Sequence, residues 1–478
     1  MKKHYLSQLL LVTVFFTLLS CSDNNDYLTV DDLPVASDDT VSSTLTAAVS
    51  IDVLANDTTG DFIDASTVSI VGGTDTDSNG SLDELVVANQ GTWSVNPVTG
   101  VITFTPLDTF TGNPTPISYT VKDAQNNTSN AAIVTINAEA IVTADLSQVP
   151  FTKLSDYHFF MGDIKNQIPS LNVIPYEPAS ALFSDYAHKK RFVWMPKDTH
   201  ATYNGDDNIF DFPVGAILIK TFYYDNVQPS GNRKNIETRL LVRKADGWKL
   251  YDYVWNDAQT DATLETTGNG LFVPVNWIDD NGVNKSINFR IPSETECVTC
   301  HKINPNHITG GELTIPIGPK PQNLNTVFNY INGGAQNQIE KWQSVGYLGS
   351  DVPALSAINS TVDWRDTSKS LSLRARSYID MNCAHCHRDG GHCDYTPQRF
   401  NFSNTDLHSF GVCLAPLFNI PDHPYIINAG NADHSELIYR ISTNDQAEMM
   451  PIIGRTVVHE EGVQLIKDWI NSLTQHCN

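Results

Sequence analysis

What this chain has little of narrows it before any motif is read. Basic residues are scarce: 30 Lys and Arg stand against 54 Asp and Glu, a formal charge of −24. So acidic a surface repels nucleic acid and anionic lipid, which excludes both as general partners. Long apolar runs are absent apart from Leu9–Leu19, which is too short for a stop-transfer helix. Methionine is rare, at six in 478 residues, and none falls between Met195 and Met381. From Cys21 to Asp145 there is no histidine and one basic residue, Lys122. Cysteine is infrequent too, at eight, but it is not scattered.

Four of those cysteines fall in two copies of one pattern, Cys297-Val298-Thr299-Cys300-His301 and Cys383-Ala384-His385-Cys386-His387. C-x-x-C-H is the signature of covalent c-type haem attachment. Each thiol forms a thioether to a haem vinyl group, and the histidine that follows faces the iron. The pattern predicts two covalent haems, on Cys297, Cys300 and His301 and on Cys383, Cys386 and His387. A zinc ribbon would set its C-x-x-C pairs about 15–20 residues apart and would leave the histidines unexplained. Here 82 residues separate Cys300 from Cys383. A thioredoxin-like pair needs a βαβ context that the flanking sequence lacks.

The N-terminus agrees with export, which haem attachment of this type requires. Lys2 and Lys3 precede the apolar run, which ends Leu18-Leu19-Ser20-Cys21, a signal peptide over 1–20. The cysteine there resembles the bacterial lipobox, which implies lipidation of Cys21, with an ordinary signal peptide as the alternative. Residues 21–34 read as a polar tether, and Ser22-Asp23-Asn24-Asn25-Asp26 is similar to the acidic stretch that routes some lipoproteins to the cell surface. Of the remaining cysteines, Cys393 and Cys413 are expected to bridge in an oxidising compartment, although Cys477 could replace either.

Residues 35–140 alternate short β-branched runs with turn signals, as in an all-β sandwich. Gly91-Thr92-Trp93-Ser94-Val95-Asn96-Pro97, Gly100 to Pro106, Phe110-Thr111-Gly112 and Tyr119 to Asp123 resemble the Ig-like CshA-type repeats of bacterial adhesins and fibrils. Within this segment Asp75-Thr76-Asp77-Ser78-Asn79-Gly80 has the oxygen spacing of a calcium loop. Val86 stands where an EF-hand places its glutamate, which favours a solvated acidic turn over a calcium clip.

Residues 146–296 read as a second β-rich domain. Leu182-Phe183-Ser184-Asp185-Tyr186, Phe212-Pro213-Val214-Gly215, Glu237 to Leu241, Trp255 to Ala262 and Gly318 to Asn325, with both C-x-x-C-H motifs, resemble a family of exported bacterial di-haem c-type proteins of undefined role, over roughly 151–477. The resemblance implies haem and export but no substrate. Asp185, Glu237, Arg239, Asp257 and Asp261 are read as structural ion pairs in preference to catalytic groups.

The expected architecture is multidomain: the sandwich, the β-rich domain, then mainly α-helical cytochrome c-type modules, with a first haem region at 297–364 and a second at 365–478. Leu371, Ala375, Tyr378 and Ile379 have helical spacing into Cys383, as do Val463, Ile466, Ile470 and Leu473 at the far end. Met449-Met450-Pro451 offers a thioether to the second haem, with Met450 preferred because it directly precedes the proline. For the first haem, Met195 leads His307, His188, His200, a donor from the other module and no sixth ligand at all. The expected function is single-electron transfer by a lipid-anchored di-haem cytochrome of the cell envelope, at the outer membrane, with redox proteins as partners. A peroxidase-like oxidoreductase at the first haem and a surface ligand- or glycan-binding protein with ancillary haems are the alternatives.

Overall fold

The computed structural model describes residues 33–307, 311–330 and 334–477, apart from short interruptions at 46, 58–62, 108–109, 111–112, 139–141, 143–144 and 146. The signal peptide, Cys21 and nearly all of the tether lie outside the described residues. The chain divides into two compact units after Ala138.

The first unit is a β-sandwich of two four-stranded sheets. One sheet runs Asp39–Ser43, Ala132–Ala138, Ile117–Asp123, Ile63–Ile70, and the other Val49–Ile51, Ile102–Pro106, Gly91–Val95, Glu84–Val87. Strict alternation in Gly91–Val95 and Ile117–Asp123 turns every second side chain inward. Trp93, Phe104 and Tyr119 fill the core between the sheets. The Tyr119 hydroxyl donates to the Val53 carbonyl at 2.7 Å, which satisfies its one buried polar atom. In the acidic loop the Asp75 carboxylate accepts the N–H groups of Ser78 and Gly80, and Asp77 accepts that of Asn79. Those carboxylates shape a turn of exposed residues.

The second unit is built on an antiparallel sheet of eight strands. Its main path is Ile174–Pro175, His188–Trp194, Ile217–Val227, Asn232–Lys244, Gly247–Trp255 and Ala262–Leu264. Leu271–Ile278 joins at Val227 and pairs with Asn284–Ile291. Both faces of the central strands are covered, so Ile217–Val227 is buried along most of its length despite Lys220 and Asp225. One face packs on Tyr157, Phe159 and Trp255, and the other on Phe210, Phe212 and Trp342.

The expectation of mainly α-helical haem modules is overturned: the described residues are 32% strand and 15% helix. Around the motifs the described helices are short, from Pro321–Leu324 at 4 residues to Glu460–Ser472 at 13. The physical reason lies in the punctuation. Gly390, Gly391, Pro397, Pro416, Pro421, Pro424 and Gly430 break the stretch after the second motif, and Pro305, Pro316, Pro319 and Pro321 that after the first. The segment 297–364 also shares its core with the sheet, since Leu324, Ile339 and Trp342 pack with Val193, Leu218 and Leu241. Helices Leu371–Ile379 and Glu460–Ser472 do meet, through Tyr378, Ile379, Ile466 and Trp469.

The expected Cys393–Cys413 bridge is also corrected: Cys413 is bonded to Cys477, and Cys393 is a buried free thiol. The C-terminal helix lies against the loop at Gly430, whose N–H donates to the Ile470 carbonyl. This brings the tail to Cys413, itself tied to Ile427. Cys393 sits instead in the turn after the second motif, where its N–H donates to the Cys386 carbonyl.

Candidate functional site: two adjoining cavities lined by the cysteine motifs

The first motif rides on helix Glu294–Cys300. Ser293 accepts the Glu296 N–H while the Glu296 carboxylate accepts that of Ser293, a reciprocal cap that fixes where the helix begins. Arg290 pairs with Glu296 at 2.9 Å and ties the helix to the preceding strand. Cys297 and Val298 pack on the sheet core. His301 closes the helix, and its Nδ1 lies 2.9 Å from the Ile315 carbonyl. A carbonyl only accepts, so Nδ1 carries the proton and Nε2 has a free lone pair. Burial pushes this imidazole down to about 4 and keeps it neutral.

The second motif follows helix Leu371–Ile379, capped by Ser370, through a single π-turn at Asp380–Ala384. Such turns recur at functional sites because they re-aim the side chains that follow. Asp380 is buried and accepts from Lys320 at 3.3 Å, Gln322 at 3.1 Å and the Phe402 N–H at 3.0 Å, which locks the turn. His387 Nδ1 lies 3.1 Å from Thr396 Oγ1, whose own proton goes to the Cys393 carbonyl, and 3.0 Å from the Gln398 amide. Burial holds this imidazole at about 4 as well.

The two motifs line adjoining cavities. One is bounded by Cys297, Cys300, His301, Lys220, Arg239 and His459. The other is bounded by Cys383, Cys386, His387, Gln398, Phe400 and Leu437. Cys300, Asn382, Cys383, His385 and Met450 line both. None of the four motif cysteines is in a disulfide. Burial raises Cys297 and Cys383 to about 12 each, so both are protonated thiols. Cys300 and Cys386 hydrogen-bond to each other, which lowers Cys300 and raises Cys386.

Met450 lines both cavities, whereas Met449 is 1% exposed and its sulfur takes a hydrogen bond from Gln446. Met195 is 2% exposed in the sheet core and lines neither cavity, so the first-choice ligand for the first site is misplaced. It directly follows strand His188–Trp194, and its side chain joins the packing there. His188 stacks on Tyr223, His200 is exposed, and His307 is exposed and 2.9 Å from Asp394, all away from both cavities.

Two histidines that the pattern alone did not single out do line the first cavity. His459 stacks on Phe183 at 4.2 Å and bonds Tyr378 through Nδ1 at 2.8 Å; burial pushes it down to about 4. His385, inside the second motif, has a buried Nδ1 without a partner. One donor each from Cys300, His385 and Cys386 falls within 4.8 Å, the one such cluster among the described residues. Thiolate and imidazole donors that close suit a soft or borderline metal ion. Thioether formation would consume the same sulfurs, so the two chemistries exclude each other.

The acidic candidates have structural partners. Asp185 accepts the Thr456 and Val457 N–H groups and pins the chain that follows Met450. Glu237 pairs with Arg239, and Asp252 lies 3.8 Å from the same guanidinium. Burial, then Glu237, raises Asp252 well above the usual carboxylate range. Asp257 reaches Lys234 at 3.2 Å, and Asp261 accepts from Ser155. Burial, then Arg191 and Arg239, pushes Lys220 well below the ordinary lysine range.

Comparison with known proteins finds one matching family, the surface adhesin CshA repetitive domain, over residues 36–136. That span is the sandwich of the first unit, which is therefore an adhesin-like repeat. No curated protein matches the chain significantly.

Proposed function

We propose that the second unit is a di-haem c-type electron carrier. One observation carries the proposal: folding brings two C-x-x-C-H segments to adjoining cavities, each with a neutral histidine anchored through Nδ1. A metal-ligating histidine of this kind gives its other ring N–H to a carbonyl or hydroxyl, as His301 does to the Ile315 carbonyl. Cys297 and Cys300 would hold one haem and Cys383 and Cys386 the other. His301 and His387 would each present Nε2 to iron, and Met450 would offer its thioether to the second. A c-type haem, when bound, supplies a one-electron couple. The contact of Cys300 with Cys386 makes the two attachment points neighbours, as an internal electron hand-off requires. The acidic surface favours basic redox partners. Membership of the repeat in a surface-adhesin family supports a cell-surface or extracellular location, and a lipid anchor on Cys21 belongs to the same proposal.

The adhesin-like repeat favours a second reading, a surface ligand- or glycan-binding protein with ancillary haems. Resting-state optical and EPR spectra of the full chain test the carrier. A low-spin second haem, ligated by Met450, is expected; a high-spin first haem would favour an oxidoreductase instead. Glycan-array binding that survives serine at all four motif cysteines would favour the second reading.

A further inference from the structure

The sheet face beside the first motif carries charge where aliphatic side chains are usual. Arg191, Lys220, Arg239 and Asp252 stand directly opposite one another on four successive strands. Three cations therefore sit side by side, and like charges so placed oppose pairing. Phe222, on the same face, has Lys220 Nζ at 4.7 Å, the Arg239 guanidinium at 4.5 Å and Lys189 Nζ at 5.9 Å from its ring centre.

The nearby carboxylates account for the arginines. Glu237 holds Arg239, and Glu177 lies 3.8 Å from Arg191. Asp185 is taken by the backbone at 456–457. Among the other cations of the first cavity, Arg290 is paired with Glu296 and Arg455 donates to the Met450 and Thr443 carbonyls. Lys220 has no hydrogen bond or ion pair among the described residues, and it lines that cavity with Cys297, Cys300 and His301. Lys220 is half-buried, and a cation so placed without an anion leaves a place for one from outside the polypeptide.

We propose that Lys220, backed by Arg239, is an anion anchor that receives a carboxylate inside the first cavity, and that this carboxylate is a propionate of the haem held by Cys297 and Cys300. The inference rests on the di-haem proposal. A free small carboxylate has the same chemistry, and the experiment separates the two sources.

Full-length haem-loaded protein is titrated spectroelectrochemically, with and without acetate, as wild type, Lys220→Met, Lys220→Arg and Lys189→Met. All four are expected to carry two covalent haems. Lys220→Met should favour the ferric form of one haem about tenfold, a fall of about 59 mV for a one-electron couple, in both buffers. Lys220→Arg should restore most of it. Lys189→Met should leave the potential in place, because Lys189 flanks the same ring but does not line the cavity. A fall that acetate abolishes keeps the anchor and overturns the propionate. No fall in either buffer, or an equal fall in Lys189→Met, overturns the anchor. A wild type without covalent haem overturns the di-haem proposal, and this one with it.

Discussion

Removing the Cys413–Cys477 bridge should destabilise the second unit by an amount that its loop length sets. The cystines are 64 residues apart, and closing a loop of that length lowers the entropy of the unfolded chain by about 14 cal/mol/K, or about 4 kcal/mol at 25 °C. For a unit of this size that corresponds to a fall in Tm of about 6 °C. The bridge joins the tail beyond helix Glu460–Ser472 to the loop carrying Cys413, so its loss should also fray the helix that packs Ile466 and Trp469 onto the second motif's core. Differential scanning calorimetry of Cys477→Ser reads the magnitude, and peptide mapping without reductant reads the connectivity. Cys393→Ser is the control, and it should cost under about 1.5 kcal/mol because it removes a thiol but no cross-link. A mapped peptide joining Cys393 to Cys413, or an equal loss in Cys393→Ser, would refute the reasoning.

Met450→Leu in haem-loaded protein should abolish a weak ferric band near ~695 nm, the mark of thioether ligation, while Met449→Leu should keep it. The reverse pattern would make Met449 the ligand despite its bond to Gln446. In the sandwich, burial and then Asp57 raise Asp39 to about 6 against an unfolded value near 3.9, so the folded state binds its proton more tightly. Stability from Asp39 is therefore full below about pH 4 and is lost as pH rises through about 6. Asp39→Asn should raise the first unit's melting temperature at pH 7 and flatten its slope between those limits; an unchanged slope would sink the assignment.

What is legible in the sequence is local. The C-x-x-C-H spacing, the alternation in Gly91–Val95 and Ile117–Asp123, and the helical spacing of Leu371, Ala375, Tyr378 and Ile379 each need only neighbouring residues. The Ser293–Glu296 cap is equally local, a serine three residues before a glutamate. The error over helical modules came from extending the usual surroundings of the motif past glycines and prolines that contradict them. Met195 misled because Trp194-Met195-Pro196 has the form of a Met-Pro loop, yet follows a strand whose core it joins. The charged row through Lys220 and Arg239 exists only once strand register is known, and the cystine only once the C-terminal helix has docked. His385 had a visible sign, a histidine inside the motif, but its place between the cavities is tertiary.

The central claim is that both cysteine motifs hold haem. Protein matured in a host that attaches c-type haem should show two haems per chain by pyridine haemochrome, resistant to acid–acetone extraction. Serine at Cys297 and Cys300, or at Cys383 and Cys386, should leave one. Haem that extracts, a single haem in the wild type, or zinc bound at Cys300, His385 and Cys386 in place of haem would contradict the account.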